Sequence, residues 1–250
     1  MEHIQNILKN PLLPKQNGNA SSASPGELTT LADCPQCDGT GWTQAAFGAV
    51  ESCSVCQPLR RRQAALASLP KPLHAMTFAV FKPGPGSHKG YDAALAFAHN
   101  TLCPWLLLAG DKGTGKTHLA VATILERAEH SEYGDPGRFI VYPELLAELR
   151  IGVGDGTMEM TLASYKRTPL LVLDDLGTEY RKGDGGKQSW SDEQLYRLLV
   201  HRYNNALPTL MTTNVPTEAL DPRIADRLLH KGFCQVVVMQ GQSHRSGRTW

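Results

Sequence analysis

The sequence predicts an α/β fold, a mainly parallel sheet covered by helices on both faces, with a small cysteine-rich module ahead of it. Three observations carry this. From about His74 onward, continuous apolar runs alternate with segments of helical period, the pattern of buried strands joined by crossover helices. One of those runs, Trp105 to Ala109, passes directly into Gly110-Asp111-Lys112-Gly113-Thr114-Gly115-Lys116-Thr117. That octet matches G-x-x-x-x-G-K-[ST] in full and opens a helix. Near the N-terminus, four of the six cysteines form two CxxC pairs.

A chain of 250 residues is long enough for one substantial core and a small module. Its net charge of +1 gives no global pull toward nucleic acid or membrane, so any such surface is local. No apolar run approaches the roughly 20 residues that span a bilayer. The first residues, MEHIQNILKNPLLPKQ, lack a basic segment followed by a long apolar one, so they do not read as a secretory signal. With paired cysteines and no export signal, a cytoplasmic protein with a metal site fits better than a secreted disulfide scaffold.

The elements follow in order. Ile4, Ile7 and Leu8 have helical spacing, and the stretch Gln16 to Gly26 has the composition of a flexible linker. The cysteine module runs over residues 33–58. Leu59 to Leu66 is a basic helical stretch that ends before Pro70 and Pro72. Then come a helix near Ala93–Ala98, a strand at Trp105–Ala109 and a helix at Thr117–His130. A strand at Phe139–Tyr142, a helix at Pro143–Arg150 and a strand at Leu170–Asp174 follow. The helix Asp192–Asn204 is introduced by Ser191 as its cap. A strand at Leu210–Thr213, a helix at Pro222–Leu229 and a strand at Cys234–Met239 complete the order. Gly183 to Lys187 reads as a mobile loop.

The octet and its surroundings have the chemistry of a nucleoside triphosphate site. Gly113 and Gly115 permit backbone angles that turn successive N–H groups inward at phosphate oxygens, and the helix end adds its dipole. Residues Gly110 to His118 form the cradle. Lys116 reaches the β- and γ-phosphates and Thr117 ligates Mg²⁺. Leu170 to Leu173 is an apolar strand ending in Asp174 and Asp175, the Walker B arrangement. Asp174 holds Mg²⁺ and Asp175 polarises the attacking water. Asn214 stands at the tip of the Leu210 strand. If that strand lies between the octet's strand and the Walker B strand, Asn214 can contact the attacking water or the γ-phosphate. An ordinary turn residue before Val215-Pro216 fits it as well. Arg223 and Arg227 lie four apart on one helical face.

Cys34-Pro35-Gln36-Cys37 and Cys53-Ser54-Val55-Cys56 are separated by fifteen residues. That interval suits a hairpin that returns to close a tetrahedral four-cysteine site, and the ligand set is that of structural Zn²⁺. Arg60, Arg61 and Arg62 beside it suit DNA phosphates and a solvated helix face equally.

From Thr77-Phe78-Ala79-Val80-Phe81 onward, the chain resembles the AAA+ ATPases of the DnaC/DnaI helicase-loader and IstB transposition-helper group. The matching pieces are GDKGTGKTHLA, LLVLDDLGTE, MTTN, PRIADRL and the terminal Ser243-His244-Arg245-Ser246-Gly247-Arg248. The resemblance implies an AAA+ P-loop core over residues 78–250 with the helical lid largely absent, since the chain stops soon after its last strand. It implies an N-terminal arm (1–32), a zinc module (33–58) and a basic linker helix (59–77). It makes Asn214 sensor 1, Arg227 the arginine finger with Arg223 as companion, and Arg245 the sensor 2 arginine. Position 175 is Asp where many AAA+ proteins carry Glu, so a slow, assembly-dependent ATPase is expected. The implied partners are a replicative DnaB-type helicase, single-stranded DNA and further copies of the chain, with no membrane. Arg150 and Lys166 are candidate DNA contacts, but neither stands in a basic patch with interleaved aromatics, and ordinary surface residues fit them better. A zinc module ahead of the ATPase favours the helicase loader; the alternative is an IstB-like helper of a DNA transposase.

Overall fold

The computed structural model describes residues 31–99, 103–130, 137–177 and 189–241. The expected N-terminal helix and linker, the loop at 183–187 and the terminal segment with Arg245 lie outside the described residues.

Trp105–Gly110 (β3) is buried from Trp105 to Leu108, and its side chains divide by a period of two. Leu106 and Leu108 face one apolar core; Trp105 and Leu107 face the other. The remaining strands of its sheet are Arg138–Val141 (β4), Leu171–Leu176 (β5), Thr209–Thr213 (β6) and Cys234–Met239 (β7). They stand in the order β4-β5-β6-β3-β7, and every neighbouring pair is parallel. Parallel pairing requires a crossover between successive strands, and helices supply each one. Gln57–Ala67 (α1), His88–Ala98 (α2) and Lys116–His130 (α3) close the Leu106 core. Tyr142–Asp155 (α4), Met158–Arg167 (α5), Trp190–Asn204 (α6) and Pro222–Leu228 (α7) close the Trp105 core. The architecture is therefore three layers, and the carboxyl ends of β3, β5 and β6 emerge side by side at one edge.

The small module is a separate two-stranded antiparallel sheet, Trp42–Gln44 (β1) against Val50–Ser52 (β2). It is the hairpin expected between the cysteine pairs. Helix α1 follows without a break and packs its Ala65, with Leu69 beyond its end, into the Leu106 core. Arg60 donates to the Thr40 carbonyl at 3.0 Å, and Arg62 pairs with Glu129 of α3. Two of the three arginines considered for DNA thus tie the hairpin and α1 to the chain itself.

Four element boundaries differ from expectation, each for a local reason. Tyr142 opens α4 instead of ending β4, because Pro143 is well placed in a first helical turn. The same helix continues through Gly152 and Gly154 and stops where Gly156 takes φ 78°, so the glycine stretch is a helix end and its cap. The cap of α6 is Ser189, not Ser191. Its hydroxyl accepts from the Asp192 amide at 3.1 Å while the Asp192 carboxylate accepts from the Ser189 amide at 3.1 Å. Finally, β5 runs through both aspartates to Leu176. Helix α5 is an addition to the expected elements.

Candidate functional site

The loop between β3 and α3 is shaped by two glycines that no other residue could replace without movement. A Cβ on Gly110, at φ 132°, would lie 2.0 Å from the Met239 carbonyl oxygen. One on Gly115, at φ 95°, would lie 2.6 Å from the Phe81 ring. The loop is therefore pinned between β7 and the segment that precedes α2. Within it, the buried Lys116 ammonium donates to the carbonyls of Gly110 at 2.8 Å and Asp111 at 2.7 Å. His118 reaches out of the loop to the Thr77 carbonyl at 2.9 Å and packs edge-on against Phe81.

Across the crevice, β5 brings two carboxylates. The Thr117 hydroxyl donates to Asp174 at 3.0 Å, so the octet's last residue and the first aspartate already touch. Asp174 is buried, and burial pushes its carboxyl above the ordinary carboxylate range. The Thr212 and Thr117 hydroxyls and the Lys116 charge oppose that shift, while Asp175 adds to it. An oxygen-donor pair holding a buried, incompletely compensated carboxylate fits a hard cation such as Mg²⁺. Asp175 stands at φ 62°. It belongs to a β-bulge: Leu173 pairs with Met211 and Leu176 with Thr213, so Asp174 and Asp175 together oppose Thr212 alone. The bulge turns both acids toward the crevice instead of to opposite faces.

Thr212 joins the site without having stood out in the sequence. Its hydroxyl donates to Asp174 at 2.6 Å and accepts from the Asp175 amide at 2.9 Å. A threonine inside a strand is ordinary β composition; the signal that could have found it is its place one residue after the buried Met211 and two before Asn214. Asn214 donates its side-chain amide to Asp175. Strand β6 lies between β3 and β5, the placement that a role for Asn214 at the phosphate end requires.

These groups line one cavity of about 840 Å³. Lys112, Gly113, Gly115, Lys116, Thr117 and His118 come from the octet and α3, and Asp174, Asp175, Thr212 and Asn214 from the sheet. Leu73, Met76, Val80, Phe81 and Val141 add apolar wall. Size, an apolar wall and convergent polar groups are those of a nucleotide-sized ligand site. Arg223 and Arg227 do not line it. Arg223 is clamped on Asp221 at 2.9 and 3.1 Å and stacks 4.0 Å from the Tyr196 ring. Arg227 lies over Tyr196 and Tyr203 of α6 and donates to the Arg223 carbonyl at 2.6 Å.

The four cysteines of the hairpin converge. All four are buried, and their sulfurs lie within 4.8 Å of one another, with Cys34 to Cys53 at 3.7 Å and Cys37 to Cys56 at 3.6 Å. Four thiolates about 2.3 Å from a tetrahedral ion stand about 3.8 Å apart, so the cluster has the dimensions of a zinc centre. The Gly41 amide donates to Cys37 at 3.2 Å. Burial resists ionisation of Cys37, but that amide and the neighbouring thiols outweigh it and hold the thiol at about 7, whereas burial raises the Cys34 thiol and pushes Cys56 up to about 12. A thiolate near neutral pH is the form that binds metal.

The model of the family described as IstB-like ATP binding protein matches residues 91–249, more than half of the chain. The replicative helicase loader DnaI of Bacillus subtilis is 38% identical over 117 residues, 46% of this chain and 34% of that protein. The ATP-binding protein of insertion sequence IS1162 of Pseudomonas fluorescens is 38% identical over 72 residues, 29% of this chain and 30% of that one. The matched region spans about half or less of the curated relatives. Among solved structures, the DnaC helicase loader superposes with a TM-score of 0.57 and 25% identity over 68% of this chain and all of that one. DnaI superposes with a TM-score of 0.56 and 26% identity over 69% of this chain and 95% of that one. The observed three layers are thus the P-loop core of AAA+ proteins. No helix among the described residues is long and apolar enough to cross a membrane.

Proposed function

The chain is a member of the family of IstB-like ATP-binding proteins, and we propose that it is an ATP-dependent loader of a replicative DNA helicase. In this reading Lys116 and the loop amides hold the triphosphate, with Thr117 and Asp174 on Mg²⁺. Asp175 and Asn214 orient the attacking water. Bound Mg²⁺ would screen the phosphates and polarise the γ-phosphoryl group. Asp175 is short and is held by Asn214, so hydrolysis is slow and the bound state sets the timing. Arg227, seconded by Arg223, acts on the nucleotide of a neighbouring copy, and Arg245, near the end of the sequence, contacts the nucleotide as sensor 2.

The observation that carries the choice of loader is the cysteine hairpin fixed to the ATPase core through α1. Zinc in that centre, held by Cys34, Cys37, Cys53 and Cys56, would keep the hairpin folded. The hairpin turns Trp42, Phe47 and Val50 to solvent, apolar side chains that a folded module of this size exposes at a cost unless a partner covers them. We assign that partner as the helicase. A second reading, an ATPase helper of a DNA transposase, is favoured by the family description and by the IS1162 relative. Co-purification separates the two. The tagged chain, with and without ATP, is offered a DnaB-type helicase and a transposase from the same source. Capture of the helicase supports the loader; capture of the transposase alone, with ATP-driven filaments on duplex DNA, overturns it.

A further inference from the structure

Among the described residues, one group of metal-ligating side chains besides the cysteines converges, and the ATPase reading does not use it. His99 caps the end of α2, and Glu126 and His130 lie one turn apart near the end of α3, which packs against α2. His99 Nε2 is 3.1 Å from Glu126 Oε1, and His130 Nδ1 is 3.5 Å from the same oxygen while donating to the Glu126 carbonyl at 2.9 Å, a bond and proton that it gives up on binding a metal. The two imidazoles meet edge to face with centroids 5.1 Å apart. All three ligand atoms lie within 4.8 Å of one another. Nitrogen and oxygen donors bound about 2.1 Å from one ion are separated by about 3.0 to 3.4 Å along a coordination edge. Both His–Glu distances sit at that separation or just outside it. Glu126 is half-buried and both histidines are exposed, so water has access to the remaining coordination positions.

We propose that His99, Glu126 and His130 form a second divalent cation site, open to solvent and selective for the zinc and nickel class. Two imidazoles and one carboxylate favour that class over Mg²⁺ and Ca²⁺, which take oxygen donors. The site differs in kind from the cysteine centre. It has three ligands where the cysteines offer four, and it bridges two helices of the core instead of folding a hairpin. Binding would staple the end of α2 to the last turn of α3. The neighbouring Glu129 holds Arg62 of α1, so the cation would stiffen the seam at which the hairpin's helix joins the core.

The test uses the full chain with its cysteine centre loaded with zinc and without nucleotide. Ni²⁺ is added as the probe in competition with a chromophoric chelator, and bound nickel and zinc are counted separately by elemental analysis. The expected result is one nickel per chain with the zinc retained, and a rise in Tm with added Ni²⁺. His99→Gln and His130→Gln should each weaken nickel binding by about tenfold or more, and the double variant should abolish it and the rise in Tm. Glu126→Gln, which keeps the helix and the shape, should weaken it as well. Unchanged zinc content and circular dichroism show that the variants are folded. No nickel beyond the zinc centre, or undiminished uptake by the double variant, overturns the site and leaves a hydrogen-bonded His-Glu-His triad.

Discussion

The Thr212 hydroxyl serves two aspartates at once, and this follows from the bulge that sets Asp174 and Asp175 opposite a single residue of β6. A hydrogen bond to a charged group is worth about 1.5–3 kcal/mol, more than most single contacts at a surface. Thr212→Val keeps the shape and removes the hydroxyl. It should lower Mg²⁺-dependent hydrolysis by about tenfold or more, while nucleotide affinity without Mg²⁺ stays near that of the parent. Thr212→Ser should restore the rate. A valine variant with parental hydrolysis would show that Thr212 positions nothing. Lys116 is a different case, since its ammonium already rests on the carbonyls of Gly110 and Asp111 where the loop closes. Lys116→Ala should abolish ATP binding in a calorimetric titration, and undiminished affinity would remove the proposed phosphate contact.

Among the elements, legibility tracked burial. Strands β3 and β5 could be read because they open on continuous buried apolar runs, too short for buried helices; β6, with three threonines, and the edge strand β7, with Gln235 and the exposed Val238, could be read from shorter apolar stretches between turn residues. Helix α5 could not, because it buries only Leu162 and Tyr165, a stripe too thin to stand out between a glycine stretch and a proline. The two acids were legible as residues, but the bulge that aims them both at the crevice was not, since register depends on the partner strand. The same dependence hid Arg202. It is fully buried on α6 and donates to the Tyr165, Lys166, Thr168 and Pro208 carbonyls and the Thr209 hydroxyl. Burial pulls its guanidinium down to about 9, still above neutral pH, so those acceptors see a full cation. Arg202→Leu would strand several buried carbonyls at the join of α5, β5 and β6. A loss of about 3 kcal/mol or more in urea unfolding is expected, and a change below about 1 kcal/mol would contradict it. The hairpin depends on another force. Its buried cluster is the four cysteines, with Leu31 and Val55 against them. Chelation of the proposed zinc should therefore open residues 34–56 to protease while the sheet stays protected. Equal resistance with and without metal would mean that the hairpin folds by itself.

At the scale of the whole molecule, the cavity holds every described residue assigned to phosphate, cation and water except the arginines and the three loop positions Gly110, Asp111 and Thr114 that close on Lys116. Arg223 and Arg227 are on α7, which follows β6, and they rest on the tyrosines of α6. Arg227 also donates to the Arg223 carbonyl at 2.6 Å. That neither arginine lines the cavity of its own chain fits the proposal that they act on the cavity of another copy. An interface that sets α7 of one copy against the cavity of the next is head-to-tail, so repetition gives a ring or a helical filament. The prediction is then one of complementation. Arg227→Ala should bind ATP as the parent does and lose assembly-dependent hydrolysis, and Lys116→Ala should fail for want of nucleotide. Mixed in equal amounts, the two should recover activity that neither has alone. About a quarter of randomly formed head-to-tail contacts would join an intact loop to an intact finger. A mixture as inactive as its parts, with assembly verified by light scattering, would place the arginine's role within its own chain. Full hydrolysis by assembled Arg227→Ala alone would remove it from the reaction altogether.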